Sequence, residues 1–263
     1  MQVQANGITI EVEDYGEKAD PAILLIMGYT AQLVYWPMDL VNGLVEAGFR
    51  VIRFDNRDVG LSQKFDEMKA PGPIRQILTK RFFPKRQLAP YNLSDMASDA
   101  VGVLDALEIA KAHIVGASMG GMIGQLVAGN HAERVLSFTP VMSSTNAPGL
   151  PGADPEVRRA LMKSARVKAR TVDEALAGGI VFSSLIASDE GRSRIEERKA
   201  MMKEALERSF YPPGPKRQMA AIIETGNLRP VANRITAPTM VIHGAQDPLI
   251  PAACGQDIAA NIN

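Results

Sequence analysis

A serine enclosed by glycines carries the clearest chemical signal in this sequence. Ser118 stands in "GASMG", residues 116–120, with a short apolar run before it and a helix-like run after it. In a tight turn from a strand into a helix, the serine hydroxyl is held above the helix N-terminus, where backbone N–H groups can stabilise an anion. The pattern therefore predicts that Ser118 is a catalytic nucleophile.

The alternative for a glycine-rich turn between a strand and a helix is phosphate binding. Dinucleotide-binding turns have glycines at positions i, i+2 and i+5, and a P-loop has a lysine after its last glycine. This sequence has no such glycine triple, and Gly121 is followed by Met122. The nucleophile interpretation is favoured.

Two backbone N–H groups are predicted to form the oxyanion hole beside Ser118. In such sites one N–H belongs to the residue after the nucleophile and the other to the loop after an earlier strand. The first residue is Met119. The loop is "MGYT", residues 27–30, and its donor is the N–H of Tyr29. The alternative is that Gly28 only ends the strand.

The carboxylate that completes such a site is predicted at Asp247. This residue follows a predicted strand, residues 239–243, and is followed by Pro248. A buried carboxylate in the loop after a late strand orients an imidazole and stabilises its charged form. The alternative is that the Asp-Pro pair only starts a turn.

The general base is not expected among the three histidines of the sequence. His113 begins the strand that enters the serine turn, and His131 ends the following helix, roughly 18 Å from the serine at 1.5 Å per residue. His243 precedes Asp247, whereas the base of such a triad follows the acid along the chain. We therefore expect the histidine on a further C-terminal strand and loop that this chain lacks, and we expect the chain to be nearly inactive alone.

Strand and helix patterns alternate around these residues. "PAILLIMG", "RVIRFDNR", "AHIVGA" and "RVLSFTPVM" are apolar runs typical of buried strands, and "GITIEVEDYG" alternates as a half-buried strand does. Helical spacing covers residues 32–47, 93–109 and 119–130, with Ser94 as the N-cap of the second. This alternation of strand and helix patterns predicts an α/β fold with a mostly parallel sheet flanked by helices. We expect the last strand and the last helix of that fold to be missing from this chain.

The alternation stops before an inserted helical region. Residues 145–155 are rich in turn formers, and residues 155–228 have helical patterns throughout. We predict a helical lid over residues 145–234, inserted into a core of residues 1–144 and 235–263. A lid at this position would cover the strand ends, where open α/β sheets bind their ligands.

Composition limits the partners and the compartment. The 263 residues have a formal net charge of zero, which argues against nucleic acid or an anionic membrane as a partner because both attract a basic excess. The basic run "TKRFFPKR" is interpreted as a solvated helix face. Cys254 has no second cysteine to pair with, and the N-terminus has no signal pattern, so a cytoplasmic location is predicted. Three histidines and one cysteine predict no metal site, and the chemistry needs no cofactor.

The chain resembles the α/β-hydrolase superfamily, and within it the aclacinomycin methylesterase-like serine esterases. The matching stretches are "PAILLIMGYTAQLVYWP", "GFRVIRFDNRDVGLS", "HIVGASMGGMIGQ" and "RITAPTMVIHGAQDPLIP". The resemblance implies that Ser118 is the nucleophile, Asp247 the acid, and Tyr29 and Met119 the oxyanion donors. The chain departs from the common family pattern at Met27, where the family has histidine.

A second departure lies in the turn after "RVIRFDNR", where "RDVG" replaces the common Arg-Gly-x-Gly. We interpret Asp55, Arg57 and Ser62 as structural residues that brace this turn. Trp36 and Met142 are predicted to line the substrate pocket, since aromatic side chains and methionine suit an adaptable apolar site. Packing in the interior is the alternative for both.

These features predict a serine hydrolase that cleaves carboxylic esters through an acyl-enzyme on Ser118. Thioester, lactone or carbon–carbon hydrolysis and perhydrolysis would use the same groups. A hydrolase-like protein that binds a small apolar ligand without turnover is the alternative of another class. The expected partner is a small-molecule ester, and the sequence does not reveal its acyl or alcohol part or the oligomeric state.

Overall fold

A computed structural model describes residues 1–83, 86–164 and 169–262. Two residues of the basic run, Pro84 and Lys85, lie outside the described residues. The strands are β1 (Gln2–Ala5), β2 (Ile8–Tyr15), β3 (Ala22–Ile26), β4 (Arg50–Phe54), β5 (Ala112–Ala117) and β6 (Val135–Val141). The helices are α1 (Met38–Glu46), α2 (Pro73–Phe82), α3 (Leu93–Ala106), α4 (Met119–Asn130), α5 (Pro155–Ser164), α6 (Val172–Ile186), α7 (Asp189–Ser193), α8 (Ile195–Arg208), α9 (Gly214–Thr225), α10 (Arg229–Ala232) and α11 (Ala252–Asn261), with short 3₁₀ helices at Leu33–Tyr35 and Ala132–Arg134.

The strands form one mostly parallel sheet in the order β1-β2-β4-β3-β5-β6. β1 and β2 run antiparallel to their neighbours, and β4, β3, β5 and β6 run parallel to one another. In register, Ile26 lies opposite Gly116, and Ala117 lies opposite Val141. The loops that follow β3, β5 and β6 therefore meet at one edge of the sheet. The predicted fold class, a mostly parallel sheet flanked by helices, is confirmed.

The central strands are buried on both faces because helices cover the sheet from both sides. Every residue of β3 is buried, as its continuous apolar sequence predicts. Leu24 and Ile26 belong to the larger apolar cluster, which includes residues of α3 and α4. Leu25 belongs to a smaller cluster on the other face, together with Val41 of α1. These two layers of packed side chains fix the position and direction of β3 and β5 in the sheet. They therefore also fix where the loops after these strands begin.

Two predicted helix boundaries were wrong. The helix predicted over residues 32–47 is divided by Pro37, which is extended (ψ 146°) and precedes α1. Proline at this position cannot continue the preceding 3₁₀ turn, so α1 starts after it. Helix α3 is capped by Asn92 and not by Ser94, and the Asn92 and Asp95 side chains form a reciprocal capping box.

The strand predicted over residues 239–243 is present only as two isolated bridges to β6, at Thr239 and Ile242. Backbone hydrogen bonds alternate along this segment, from the Met240 N–H to the Phe138 carbonyl and from the Ile242 N–H to the Pro140 carbonyl. Among the described residues, no strand lies on its other side. With one neighbour only, the segment is held less regularly than the inner strands, and Met240 and Ile242 are exposed.

The described residues between Pro155 and Thr225 form helices and no strand, as their sequence pattern predicts. Helix α6 packs on α8, and α8 contacts the 3₁₀ helix after β3. The Gln32 side chain donates a hydrogen bond to the Ser209 carbonyl (2.9 Å), which joins the end of α8 to the loop after β3. That this region acts as a lid with the bounds 145–234 stays a prediction. In the described part of the chain, no helix has the length and apolar character needed to cross a membrane.

Candidate active site

Ser118 lies in a strained turn between β5 and α4. Its backbone angles are φ 54° and ψ −116°, a region that non-glycine residues rarely occupy. Such a conformation costs of the order of 1–3 kcal/mol and persists only where the surroundings enforce it. Here the Ser118 N–H donates to the Val141 carbonyl (2.9 Å), and the Ser118 carbonyl accepts from the Ser143 hydroxyl (2.8 Å). The serine side chain is partly exposed at the sheet edge.

The glycines around Ser118 are required by close backbone approaches. A Cβ atom on Gly116 would lie 2.3 Å from the Gly120 carbonyl oxygen, and one on Gly120 would lie 2.0 Å from the Ile26 carbonyl oxygen. A Cβ atom on Gly121 would lie 2.5 Å from the Ser143 Cβ. All three distances are far below van der Waals contact. The turn from β5 into α4 therefore has the tight geometry that the sequence predicts, and its role as a nucleophile elbow stays a prediction.

The loop after β3 passes directly beside Ser118. A Cβ atom on Gly28 would lie 3.0 Å from the Ala117 carbonyl oxygen and 3.2 Å from the Ser118 Cβ, so a larger residue would crowd this close approach. Within the described residues, the hydrogen bonds leave the N–H groups of Tyr29 and Met119 without an acceptor. Burial raises the pKa of the Tyr29 phenol to about 12, so its side chain stays neutral near pH 7. The arrangement is consistent with two backbone donors for an oxyanion.

A glutamine from α9 fixes the loop after β3. The Thr30 N–H donates to the Gln218 Oε1 (2.9 Å), and the Gln218 Nε2 donates to the Arg57 carbonyl (2.9 Å). Gln218 is buried, and Thr30 has a positive φ of 62°. On the other side of the loop, the Asn56 side chain donates to the Met27 carbonyl (2.8 Å). The position of Tyr29 therefore depends on α9 and on the turn after β4.

We expect Gln218→Leu to loosen this loop and to slow any reaction that uses it. The leucine has a similar size but accepts no hydrogen bond from Thr30. A misplacement of the oxyanion donors by about 1 Å costs on the order of 100-fold in rate, so turnover should fall about 10- to 100-fold while KM changes little. Hydrogen–deuterium exchange of residues 27–31 and ester kinetics measure the two effects.

Gln125→Leu is the matched control for that experiment. Gln125 is also buried, but its Nε2 donates to the Ser144 carbonyl (3.0 Å), away from the loop after β3. This variant should lose stability without faster exchange in residues 27–31. Unchanged exchange of that loop in Gln218→Leu would contradict the positioning role.

Buried ion pairs hold α8 and α9 against the turn after β4. The Arg217 guanidinium donates two hydrogen bonds to Asp58 (2.7 and 2.8 Å), and both residues are almost fully buried. These bonds to Asp58 raise the pKa of Arg217. Arg208 pairs with the buried Asp55 (2.6 Å). Arg208 and Arg217 therefore link helices α8 and α9 to the turn after β4, at the edge of the sheet where Ser118 lies.

The prediction that Asp55, Arg57 and Ser62 brace the turn after β4 is confirmed. Asp55 accepts from the N–H groups of Leu33 and Leu61 (both 2.8 Å), and the Ser62 hydroxyl donates to the Asp55 carbonyl (2.5 Å). Arg57 reaches farther and pairs with Asp99 of α3 (2.6 Å). These residues position the loops and do not contact Ser118.

Asp247 lies at the same sheet edge as Ser118, because Ile242 pairs with Val141 and Val141 with Ala117. Its Oδ1 accepts hydrogen bonds from the N–H groups of the two residues at 249 and 250 (both 2.9 Å). These bonds show that Asp247 stabilises a turn. The second oxygen, Oδ2, lies 3.6 Å from the His243 Nε2. Its role as the acid of a triad stays a prediction.

The histidines have partners away from Ser118. The Nδ1 atom of His113 lies 2.8 Å from the Ser137 hydroxyl, and burial lowers its pKa. His131 follows the last residue of α4. The His243 Nε2 lies 2.7 Å from the Ile250 carbonyl oxygen; because a carbonyl only accepts, this nitrogen carries the proton. None of these contacts involves Ser118, and that none of the three histidines is the base stays a prediction.

The two predicted pocket residues have different environments. Trp36 is buried in the smaller apolar cluster with Leu25 and Val41, which favours the packing alternative for its ring. Met142 follows β6, is 44% exposed and has a positive φ of 42°. Met142 is thus available at the Ser118 edge, and its contact with substrate stays a prediction. Across the described residues, no three or more histidine, cysteine or acidic side chains are grouped to hold a metal ion.

This chain is similar in sequence to known proteins of one fold family. The sequence profile of the alpha/beta hydrolase fold family matches residues 21–262. Rhodomycin D methylesterase DauP of Streptomyces sp. (strain C5) is 36% identical over 135 residues, which are 51% of this chain and 39% of that protein. The chain therefore aligns with well under half of the length of this relative.

Two further proteins are similar over most of the chain. The putative carbamate hydrolase RutD of Variovorax paradoxus (strain S110) is 26% identical over 257 residues, covering 95% of this chain and 83% of that protein. The crystal structure of the enol-lactonase from Burkholderia xenovorans LB400 superposes with a TM-score of 0.72 at 24% identity, covering 100% of this chain and 88% of the other. At that identity the superposition shows a shared fold.

Proposed function

The chain belongs to the α/β-hydrolase fold family, and from this membership we propose that it is a serine hydrolase of carboxylic esters. The observation that carries the proposal is the strained backbone of Ser118, φ 54°, at the N-terminus of α4. A serine in this conformation presents its hydroxyl to solvent beside N–H groups that have no other acceptor. Strain of this kind persists at catalytic sites, where it is part of the mechanism.

The proposed reaction uses two steps on Ser118. The Ser118 Oγ attacks the ester carbonyl carbon, its proton passes to a base, and the carbonyl oxygen becomes an oxyanion. The N–H groups of Tyr29 and Met119 stabilise this oxyanion, each by about 3 kcal/mol. The tetrahedral species then expels the alcohol, which takes up the proton. Water attacks the acyl-enzyme, the acid is released, and the serine is regenerated.

Asp247 is proposed to orient the base and stabilise its positive charge. Asp247 Oδ1 is occupied by two backbone N–H groups, which leaves Oδ2 as the oxygen that can accept from an imidazole. The base itself is proposed to be none of His113, His131 and His243, since their contacts lie elsewhere. The experiment on this point is chemical rescue.

Free imidazole is expected to accelerate ester cleavage by this chain at least tenfold at pH 7. An imidazole in solution can take the Ser118 proton where no histidine of the chain reaches it, and loss of a triad member leaves only about 10³–10⁴-fold catalysis over water. Stopped assays across imidazole concentrations measure the effect, and His243→Ala should behave as the parent chain does. Full activity without imidazole that His243→Ala abolishes would assign the base to His243.

The class of substrate is tested with a panel of esters. The name of one relative favours a methyl ester, because DauP is a rhodomycin D methylesterase. Methyl, ethyl and p-nitrophenyl esters of graded acyl length should each release alcohol, with one equivalent released in a burst when deacylation is slow. A thioester and a lactone belong in the panel, because an enol-lactonase shares the fold.

The alternative of a binding protein without turnover makes the opposite prediction for this panel. A ligand would then bind with saturation and shift the unfolding temperature, with no alcohol released even in the presence of imidazole. That outcome would reject the proposed function. The small-molecule ester as partner and a cytoplasmic location remain part of the proposal.

A further inference from the structure

Helix α2 presents its apolar side chains to solvent and buries the polar side chain of Gln76 against the protein. Gln76 is fully buried, whereas Ile74 is 76% exposed, Ile77 55%, Leu78 52% and Phe82 68%. An ordinary surface helix has the reverse arrangement. The adjoining Phe83 is 62% exposed. The inverted face is therefore a contiguous apolar surface of the kind that marks an interaction site.

The same segment concentrates positive charge in a chain whose net charge is zero. Between Glu67 and Asp95 the sequence has no acidic residue and six basic ones: Lys69, Arg75, Lys80, Arg81, Lys85 and Arg86. Arg75, Arg81 and Arg86 are exposed, and Lys80 pairs with the buried Glu224. Arg75 and Arg81 lie on α2 itself. Apolar and basic side chains thus share one exposed surface.

We propose that the exposed face of α2 docks on an anionic lipid membrane. A helix of this composition lies in the membrane interface, with its apolar side chains among the acyl chains and its arginines at the headgroups. The earlier expectation of no membrane partner rested on the net charge of the whole chain, and the local charge is strongly positive. The inference does not depend on the proposed function, because docking needs no chemistry at Ser118.

A second copy of this chain suits this surface less well. A two-fold symmetric contact through α2 would bring Arg75 and Arg81 of both copies together, and like charges at close range oppose association. Nucleic acid would satisfy the arginines but would leave the isoleucines and phenylalanines in water. An anionic lipid surface satisfies both kinds of side chain.

The helix is held firmly enough to serve as a docking surface. The Gln76 side chain donates to the Ala220 carbonyl (2.8 Å) and to Glu224 (3.0 Å), so the buried side of α2 is hydrogen-bonded to α9. Helix α9 also supplies Gln218, which fixes the loop beside Ser118. Helix α9 is thus hydrogen-bonded both to α2 and to the loop beside Ser118.

Vesicle sedimentation tests the proposal with the full 263-residue chain. The chain should bind vesicles of phosphatidylcholine mixed with phosphatidylserine, bind phosphatidylcholine alone weakly, and dissociate as salt is added. Phe82→Ser should weaken binding about tenfold because the ring no longer enters the acyl region. Arg75→Gln and Arg81→Gln should each weaken it about fivefold, and only on the anionic vesicles.

Val181→Ser is the matched control, since Val181 is 64% exposed on α6 and lies outside the proposed surface. It should bind as the parent chain does, and circular dichroism should show all variants folded. Absence of binding to anionic vesicles, or binding that Phe82→Ser leaves unchanged, would overturn the proposal. A concentration-dependent dimer in light scattering that Phe82→Ser dissolves would assign the face to a second copy and likewise overturn it.

Discussion

Replacing Ser118 with alanine is expected to abolish covalent labelling by a fluorophosphonate. The parent chain should acquire one adduct, slowly where no histidine assists and faster with added imidazole, because Ser118 is the serine held beside two N–H groups without acceptors. Alanine keeps the backbone conformation but has no nucleophile. Intact-protein mass spectrometry after a long incubation measures the adduct, and peptide mapping locates it. The acceleration of ester turnover by imidazole should be lost as well, because the nucleophile and its base act as a unit.

Ser143→Ala is the control for this experiment. Ser143 is a second serine beside the turn, and its buried hydroxyl donates to the Ser118 carbonyl. Its removal should slow labelling modestly through the turn and leave the adduct on Ser118. Labelling that survives in Ser118→Ala, or that maps to Ser143, would reject Ser118 as the nucleophile.

Arg217→Met is expected to lower the free energy of unfolding by about 3–5 kcal/mol. The substitution leaves the Asp58 carboxylate buried, without a cationic partner, and accepting hydrogen bonds from the Tyr91 hydroxyl (2.7 Å) and the Phe65 N–H (3.0 Å). A buried charge without its partner retains its desolvation cost and loses the compensating attraction. Urea unfolding followed by circular dichroism measures the change, and the slope with denaturant should stay constant if both states keep their exposure.

Arg192→Met provides the comparison at the surface. Arg192 pairs with Asp189 on α7, and both side chains are largely exposed. Exposed pairs contribute about 0–1 kcal/mol, so this variant should unfold almost as the parent does. Adding Asp58→Asn to Arg217→Met should restore part of the stability, because the unpaired charge is then removed. An equal loss of unfolding free energy in Arg217→Met and Arg192→Met would show that the buried Arg217–Asp58 pair contributes no more than an exposed pair.

The sheet and the serine turn were predictable because their causes are local. Residues 22–26 are apolar at every position, and only a strand covered on both faces buries such a run. The bounds of α4, Met119–Asn130, agree with the predicted helix over residues 119–130. The glycines at 116 and 120 follow from the same tight turn that strains Ser118. In each case a few neighbouring residues determine the conformation.

Some local signals were present in the sequence but were not used. Strand β1 was not predicted, although Asn6-Gly7 between two strand-like runs is the strongest short hairpin signal. In the structure both residues have positive φ, 49° and 75°, as a tight hairpin turn requires. The cap of α3 was placed two residues too late because Asn92 and Ser94 are both good cap residues, and only the pairing with Asp95 distinguishes them.

The contacts that hold the loop beside Ser118 could not be predicted from the sequence. Arg217 and Asp58 are 159 residues apart, and Gln218 and Thr30 are 188 apart. A chain with 29 basic and 29 acidic side chains offers many pairings at such separations, and only the folded geometry selects one. The inverted face of α2 was missed for the same reason, because the sequence does not show which side of a helix the rest of the protein covers.

The positive φ at Ser118 also bears on how such a protein changes over evolutionary time. Glycine is the residue that adopts this backbone conformation without penalty, so a Ser118→Gly exchange would release strain of the order of 1–3 kcal/mol. A lineage that no longer needed the hydroxyl would gain stability by a substitution that requires no other change. Serine at this position is therefore the less stable choice, and drift alone would tend to remove it. A serine at this position is therefore expected where selection acts on the chemistry of the site and not on folding stability.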